Sequence, residues 1–171
     1  MRSVLLVFMY MIVLSSCGQR NPDKSMDSRE LKEPLIQENQ RITREEARVM
    51  DRYIERRKWE MTETGTGLRY MIYEKGDGPQ AKAGMRAKVD YEISLLDGTV
   101  CYTSEEKGPR TFTIGRDNVE SGIHEGITYM RVGDKARLVI PSYLAHGLIG
   151  DQNRIPPRAT LVVDLHLLEL D

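Results

Sequence analysis

The chain has 171 residues, 40% of them hydrophobic and 30% charged, a balance that suits one compact domain with accessory segments. Basic and acidic residues number 25 and 26, a net charge of -1. That leaves no basic excess to hold phosphates, so nucleic acid is not an expected partner.

The first expectation in chain order is a signal. Arg2 supplies a positive charge, and Val4 to Leu14 is an almost unbroken apolar run, the length of a secretion-signal core and too short to span a bilayer. Leu14-Ser15-Ser16-Cys17 follows and resembles the bacterial lipobox, in which the cysteine is acylated and becomes the new N-terminus. Residues 1–16 are then a lipoprotein signal peptide, and the lipid on Cys17 is a membrane anchor, because more than one acyl chain holds stably where a single chain does not. Gly18 in place of Asp points, by the rule for enterobacterial lipoproteins, to an outer-membrane lipoprotein of the cell envelope, expected to face the periplasm. With Cys17 lipidated, Cys101 is left without an internal disulfide partner.

Residues 17–42 read as a lipidated polar tether, because Pro22, Asp23, Ser25, Asp27 and Ser28 interrupt any apolar pattern. Thr43-Arg44-Glu45-Glu46 has the Thr-x-x-Glu form of a capping box, and Ala47, Met50, Tyr53 and Ile54 recur at helical spacing, which predicts an accessory helix over 43–60. Its apolar face must cover either the following domain or a second copy of the chain, which would make a homodimer. From Thr64-Gly65-Thr66-Gly67 the period becomes that of strands. Strands are predicted over 68–73, 85–95, 110–114, 136–140 and 160–170, with a hairpin turn at Asp97-Gly98 and one helix within 118–130. Pro141 to Pro157 reads as a long loop. Strands interrupted by a single helix make residues 61–171 an α+β domain.

His124, His146 and His166 fall in different elements, away from cysteines or paired carboxylates, so no metal is expected. Neither a nucleophile elbow nor a phosphate-cradling glycine loop is present, and no cofactor is expected.

The motifs of residues 66–171 do form a pattern. Gly76-Asp77-Gly78, Val89-Asp90-Tyr91, Leu96-Asp97-Gly98-Thr99, Gly122-Ile123-His124-Glu125-Gly126, Met130-Arg131-Val132-Gly133, Ile140-Pro141-Ser142, Ala145-His146-Gly147 and Ile155-Pro156-Pro157-Arg158-Ala159-Thr160-Leu161 resemble, in order and spacing, the FKBP-type peptidyl-prolyl cis-trans isomerases. Met61 to Leu68, the lipobox and the charged helix are similar to the gliding-motility-associated isomerase lipoproteins of the Bacteroidetes. The resemblance implies a twisted antiparallel half-barrel sheet wrapped on one short helix. It implies a shallow apolar pocket, and rotamase activity on Xaa-Pro bonds of exported or outer-membrane polypeptides as they fold.

Carried onto this sequence, the family's pocket is partly present. Tyr91 matches a wall tyrosine, while Val119 and Ile155 match aliphatic positions. Glu120 stands where the family usually has Ile, at the residue whose backbone N–H contacts the bound carbonyl. Ile123 occupies the floor tryptophan position, Val163 replaces a phenylalanine, and Cys101 and Tyr102 replace a Phe-Asp pair. Arg110 aligns with another phenylalanine, and His146 replaces the tyrosine whose hydroxyl contacts substrate. Two or three lost aromatic contacts, each worth roughly 0.5 to 1.5 kcal/mol, imply a rate about 10 to 1,000 times below that of a full-pocket member. The competing expectation is a folding helper or interaction module with the same fold and no turnover. An open apolar hollow around Tyr91, Ile123, His146 and Val163 favours catalysis, and a filled or charged one favours the module.

Overall fold

The structure is a computed structural model that describes residues 28–171, with side chains from Lys32 onward. The expected signal peptide and the lipobox cysteine lie outside the described residues. By internal contacts the chain divides into two units, residues 1–40 and 41–171. Helix α1 (Ser28–Arg57) begins in the first and ends in the second. Among the described residues no helix is long and apolar enough to cross a membrane.

α1 starts well before the predicted position. Leu35 to Ile42 contains neither glycine nor a second proline, and its Leu, Gln, Glu and Arg are good helix formers, so the helix runs through Pro34 at the loss of one intrahelical bond. The segment read as tether is therefore helical from Ser28. Thr43 and Glu46 lie in the helix interior instead of forming a cap, which leaves the Glu46 carboxylate available to other partners.

The second unit is built on a single antiparallel sheet. Its strands are β1 (Thr62–Glu63), β2 (Arg69–Glu74), β3 (Arg86–Leu95), β4 (Val100–Thr103), β5 (Arg110–Thr113), β6 (Lys135–Ile140) and β7 (Leu161–Leu170). They run in the order β1-β2-β6-β7-β3-β4, with β5 also pairing β3. The Asp97-Gly98 turn joins β3 to β4, closed by the Thr99 amide on the Asp97 carboxylate at 2.8 Å. One-turn helix α2 (Ser104–Lys107) follows β4, and α3 (Ser121–Ile127) lies between β5 and β6. α3 is shorter than its apolar spacing predicts, because the chain leaves the helix for turns at Thr128 and Tyr129 that carry Met130 into the core.

Strand alternation explains the continuous apolar runs of β6 and β7. Leu138, Ile140, Val163 and Leu165 face the core shared with Ile123 and Ile127 of α3, while Val139 and Val162 point the other way. Met50 and Tyr53, one helical turn apart on α1, cover Val139 and Val162, so the helix buries its apolar face on its own domain. Full burial of two such side chains contributes about 1.5–3 kcal/mol each. Buried Arg69 secures the same face: its guanidinium meets Asp51 of α1 at 3.0 Å, Glu63 at 2.9 Å and the Gly67 carbonyl at 2.7 Å.

On the inner face α3 lies very close to β6, because Gly122 and Gly126 present no side chain to Ile140 and Leu138. This contact sets the depth of Ile123, which lies between the two glycines. Beyond β6, Ser142–Leu144 forms a 3₁₀ turn that opens the long loop to β7. Ser142 is its hub, with its carbonyl accepting the Ala145 amide at 3.0 Å and the Gly147 amide at 2.8 Å.

Candidate functional site: a half-apolar, half-charged cavity

A cavity of about 360 Å³ opens between β3, β4, α2 and the loop after β6. Tyr91 and Ile93 of β3 and Tyr102 of β4 give it apolar and aromatic surface. Lys107, Gly108, Pro109 and Arg110 form a rim, and Glu120 and His146 the facing wall. Through Tyr91, Ile93 and Arg110 it is continuous with a narrow apolar pit that also takes in Phe112, Val119, Ile123 and Leu165. The pit itself has room for only about 10 Å³, one water-sized sphere, so a prolyl ring fits in the cavity above it, with hydrocarbon on the pit side and ionisable groups on the other.

The charged side is a connected chain. His146 Nε2 lies 3.0 Å from Glu120 Oε1, and the other carboxylate oxygen of Glu120 lies 3.5 Å from Arg110, which also donates to the Asn118 carbonyl at 3.1 Å. The Glu120 side chain is only 9% exposed, so it depends on these two partners for compensation. The resemblance gives His146 the part of a donor to substrate. In the folded chain its Nε2 is already directed at Glu120.

The Glu120 backbone remains available. Its carbonyl accepts the amides of Ile123 and His124, while its own N–H has no acceptor among the described residues. Glu120 is the residue before α3, at φ −54°, and an unused amide at a helix start is a ready donor to a carbonyl.

Tyr102 is held by the loop. Its hydroxyl donates to Asp151, whose other oxygen accepts the amides of Asn153 at 2.9 Å and Ile155 at 2.7 Å. Partial burial raises the Asp151 pKa, but the bonds from Tyr102 and the two amides outweigh it and hold the carboxyl below its ordinary range. The same bond to Asp151 pushes the Tyr102 hydroxyl up. Lys107 Nζ sits 4.1 Å from the centre of the Tyr102 ring, a cation–π contact at the rim.

Of the nine residues singled out by sequence, Tyr91, Tyr102, Glu120 and His146 meet in the cavity, and Val119 and Ile123 meet in the pit. Cys101, Ile155 and Val163 lie in the core and line neither space, a correction to the sequence reading. Cys101 points inward from β4, with Sγ 3.6 Å from the Arg154 carbonyl, and burial followed by the nearby Asp151 and Asp97 charges raises its thiol pKa. Val163 is sealed between Leu138 and Ile93 in the sheet, and Leu165, two residues on and also buried, lines the pit in its place. Ile155 is buried because Asp151 ties its amide inward.

Sequence reasoning missed Ile93, Leu165, Phe112 and the Lys107–Pro109 rim. The signal was present for Ile93 and Leu165, which share strand parity with Tyr91 and Val163. A larger cavity of about 490 Å³ opens beside α1 and is lined in part by Ile42, Val49, Leu96 and Ala159. It shares no residue with the Tyr91 cavity and contains none of the nine pocket residues carried over from the resemblance.

The comparisons with known proteins agree with this architecture. The sequence profile of the FKBP-type peptidyl-prolyl cis-trans isomerases matches residues 78–168. FK506-binding protein 4 of Dictyostelium discoideum is 40% identical over 103 residues, 60% of this chain and 28% of that protein. The FKBP-type 22 kDa peptidyl-prolyl cis-trans isomerase of Escherichia coli K12 is 38% identical over 108 residues, 63% of this chain and 52% of that one. The chain thus spans about half or less of the length of these curated relatives. Among solved structures, FkpA from Escherichia coli superposes with a TM-score of 0.65 at 27% identity, over 99% of this chain and 81% of that one. AtFKBP13 superposes with a TM-score of 0.62 at 31% identity, over 66% of this chain and 99% of that one. By profile, by sequence and by fold, this chain belongs to the FKBP-type peptidyl-prolyl cis-trans isomerase family.

Proposed function

We propose that the chain is a peptidyl-prolyl cis-trans isomerase of exported polypeptides, slower than members with a full aromatic pocket. The observation that carries the reading is the junction of an apolar pit (Val119, Ile123, Leu165) with an unused backbone donor at Glu120. The barrier to isomerisation is about 18–20 kcal/mol because twisting the amide breaks its resonance, and the twisted amide is less polar than the planar one. A prolyl ring laid in the cavity over the mouth of the pit leaves water on its hydrocarbon side, which favours the twisted state, and an amide donor on the substrate carbonyl fixes the chain on one side of the rotating bond. This is differential binding without a covalent step.

Escherichia coli FkpA matches nearly the whole chain, helix included, which supports a folding role in the cell envelope. We extend the reading to lipid attachment at Cys17, an outer-membrane location, kinship with the Bacteroidetes gliding-motility isomerase lipoproteins, and proline-containing polypeptides as clients. Pairing of two copies through α1 belongs to the same reading, and Leu35 and Ile36 on its N-terminal part are exposed.

A second reading has its own observation. The Arg110–Glu120–His146 wall is charged where the family pocket is apolar, and this favours a binding module that holds proline segments without turnover. Titrating the 15N-labelled chain with a proline peptide tests where binding occurs. Shifts centred on Tyr91, Ile123 and Glu120 are expected, and shifts confined to residues outside the cavity would overturn the site. Two-dimensional exchange spectra of the bound peptide then separate turnover from holding.

A further inference from the structure

Glu46 lies on α1, outside the Tyr91 cavity, and its carboxylate accepts three hydrogen bonds. Oε1 accepts the Ser142 amide at 2.6 Å and the Thr160 hydroxyl at 2.8 Å, and Oε2 accepts the Ser142 hydroxyl at 3.0 Å. Ser142 and Thr160 are the two ends of the loop that carries His146, and both are buried. One carboxylate therefore closes the neck of that loop across a sequence separation of 96 residues to Ser142 and 114 to Thr160.

The path to the cavity is short. The Ser142 N–H and hydroxyl are directed at Glu46, while its carbonyl accepts the amides of Ala145 and Gly147, the two neighbours of His146. Gly147 in turn accepts the Arg158 amide at 2.8 Å, and the Leu144 carbonyl accepts the Ser121 hydroxyl of α3 at 3.1 Å. The backbone on both sides of His146 is thus referred, through one residue, to a side chain on the helix. The His146 ring then reaches the side chain of Glu120, the residue whose amide has no acceptor among the described residues.

We propose that Glu46 is a positioning residue for the isomerase site, holding the 3₁₀ turn so that His146 meets Glu120 and making the wall of the cavity depend on the docked α1. Charge-assisted hydrogen bonds to backbone and hydroxyl groups are the strong class, and several on one carboxylate fix its geometry. The chemistry at the proline remains with the pit and the Glu120 amide. The inference rests on the isomerase reading, and its test keeps the two apart.

The test uses the full chain as wild type, Glu46→Ala, Glu46→Gln, Ser142→Ala and Arg48→Gln, the last removing an exposed neighbour on α1 whose ion pair is with Glu45. Two readouts are taken: kcat/KM on a proline peptide, and the 15N and 1H shifts of the His146 ring through a pH titration. Glu46→Ala is expected to lower kcat/KM about tenfold, equivalent to about 1.4 kcal/mol, and to shift the His146 titration midpoint. Glu46→Gln is expected to recover part of both effects because it keeps an acceptor for the Ser142 amide. Ser142→Ala should follow Glu46→Gln, and Arg48→Gln should match wild type.

Unchanged His146 shifts in a folded Glu46→Ala or Glu46→Gln chain would overturn the proposal, as would lost activity with an unmoved His146 titration. If Glu46→Ala does not fold, Glu46→Gln and Ser142→Ala decide on the same terms. A wild-type chain without turnover would defeat the isomerase reading alone, and the His146 titration would still report whether Glu46 positions the loop.

Discussion

The close approach of α3 to β6 makes an unusual demand, and alanine at Gly122 tests it. A methyl group there would meet Ile140 Cγ2 well inside contact distance, with Ile140 Cδ1 at 3.2 Å and Cβ at 3.3 Å. At Gly126 it would meet the Leu138 methyls at 2.6 and 2.8 Å. Carbon atoms in ordinary contact sit about 3.5–4.0 Å apart, so roughly 1 Å must be absorbed at either position. Both partners are fully buried.

Ile140 is branched at Cβ and stiff, whereas Leu138 can turn its terminal methyls, so the cost is higher at Gly122. Overpacking costs about 1–3 kcal/mol, while alanine in place of glycine returns about 0.8–1.0 kcal/mol of helix propensity. The net destabilisation is then about 2 kcal/mol for Gly122→Ala and about 0–1 kcal/mol for Gly126→Ala. For a domain of this size the first corresponds to a Tm lowered by roughly 8 °C. Displacing α3 also lifts Ile123 out of the pit and turns the Glu120 amide, so kcat/KM should fall about tenfold or more. Calorimetry and a peptide isomerisation assay read both effects. A Gly122→Ala chain with a raised Tm, as an exposed helix would give, refutes the packing argument.

Other substitutions separate backbone from side chain and loop from core. Glu120 has φ −54°, which proline adopts, so Glu120→Pro removes the N–H while the local backbone direction is kept. This variant should lower kcat/KM tenfold or more, whereas Glu120→Gln, which keeps the amide, should stay within about threefold of wild type; peptide kinetics on the pair decide between them. Asp151 has a folded pKa below its ordinary value, so its contribution is present above about pH 4 and is lost as pH falls further through the depressed value. Thermal melts from pH 7 to pH 3 should therefore show Asp151→Asn less stable than wild type by about 1–2 kcal/mol at pH 7, with the gap closing at the acid end.

Much of the fold was readable because strand parity, the Asp97-Gly98 turn and the ordered family motifs all point to one architecture. β2, β3, β5, β6 and β7 fall within a residue or so of their predicted limits. Two helix limits depart from the sequence pattern, each for its own reason. Propensity carried α1 back through a polar stretch with a proline in it, and turns cut α3 short although its apolar spacing continued. The cavity was half readable. Tyr91 and Ile123 line the cavity and the pit from a regular strand and helix, and Val119 lines the pit from the bend just before α3.

The contacts that irregular backbone makes were not readable in the sequence. Ile155 turns inward because Asp151 caps its amide, and no local pattern announces that bond. The Glu120–His146 contact joins residues 26 apart in sequence, and Glu46 joins residues about a hundred apart. A Thr-x-x-Glu motif has an obvious local use as a cap. Its actual use appears only when the helix continues past it and the sheet brings Ser142 beneath it.

Whether this half-charged cavity catalyses rotation about Xaa-Pro bonds decides between an isomerase and a binding module. The most direct measurement is the slow refolding phase of a proline-limited substrate protein, followed with increasing concentrations of the full chain and of its Glu120→Pro variant. The account predicts a rate that rises linearly with wild-type concentration in the micromolar range and hardly at all with the variant. A slow phase that stays at its spontaneous rate, tens to hundreds of seconds, at micromolar wild-type chain would contradict it.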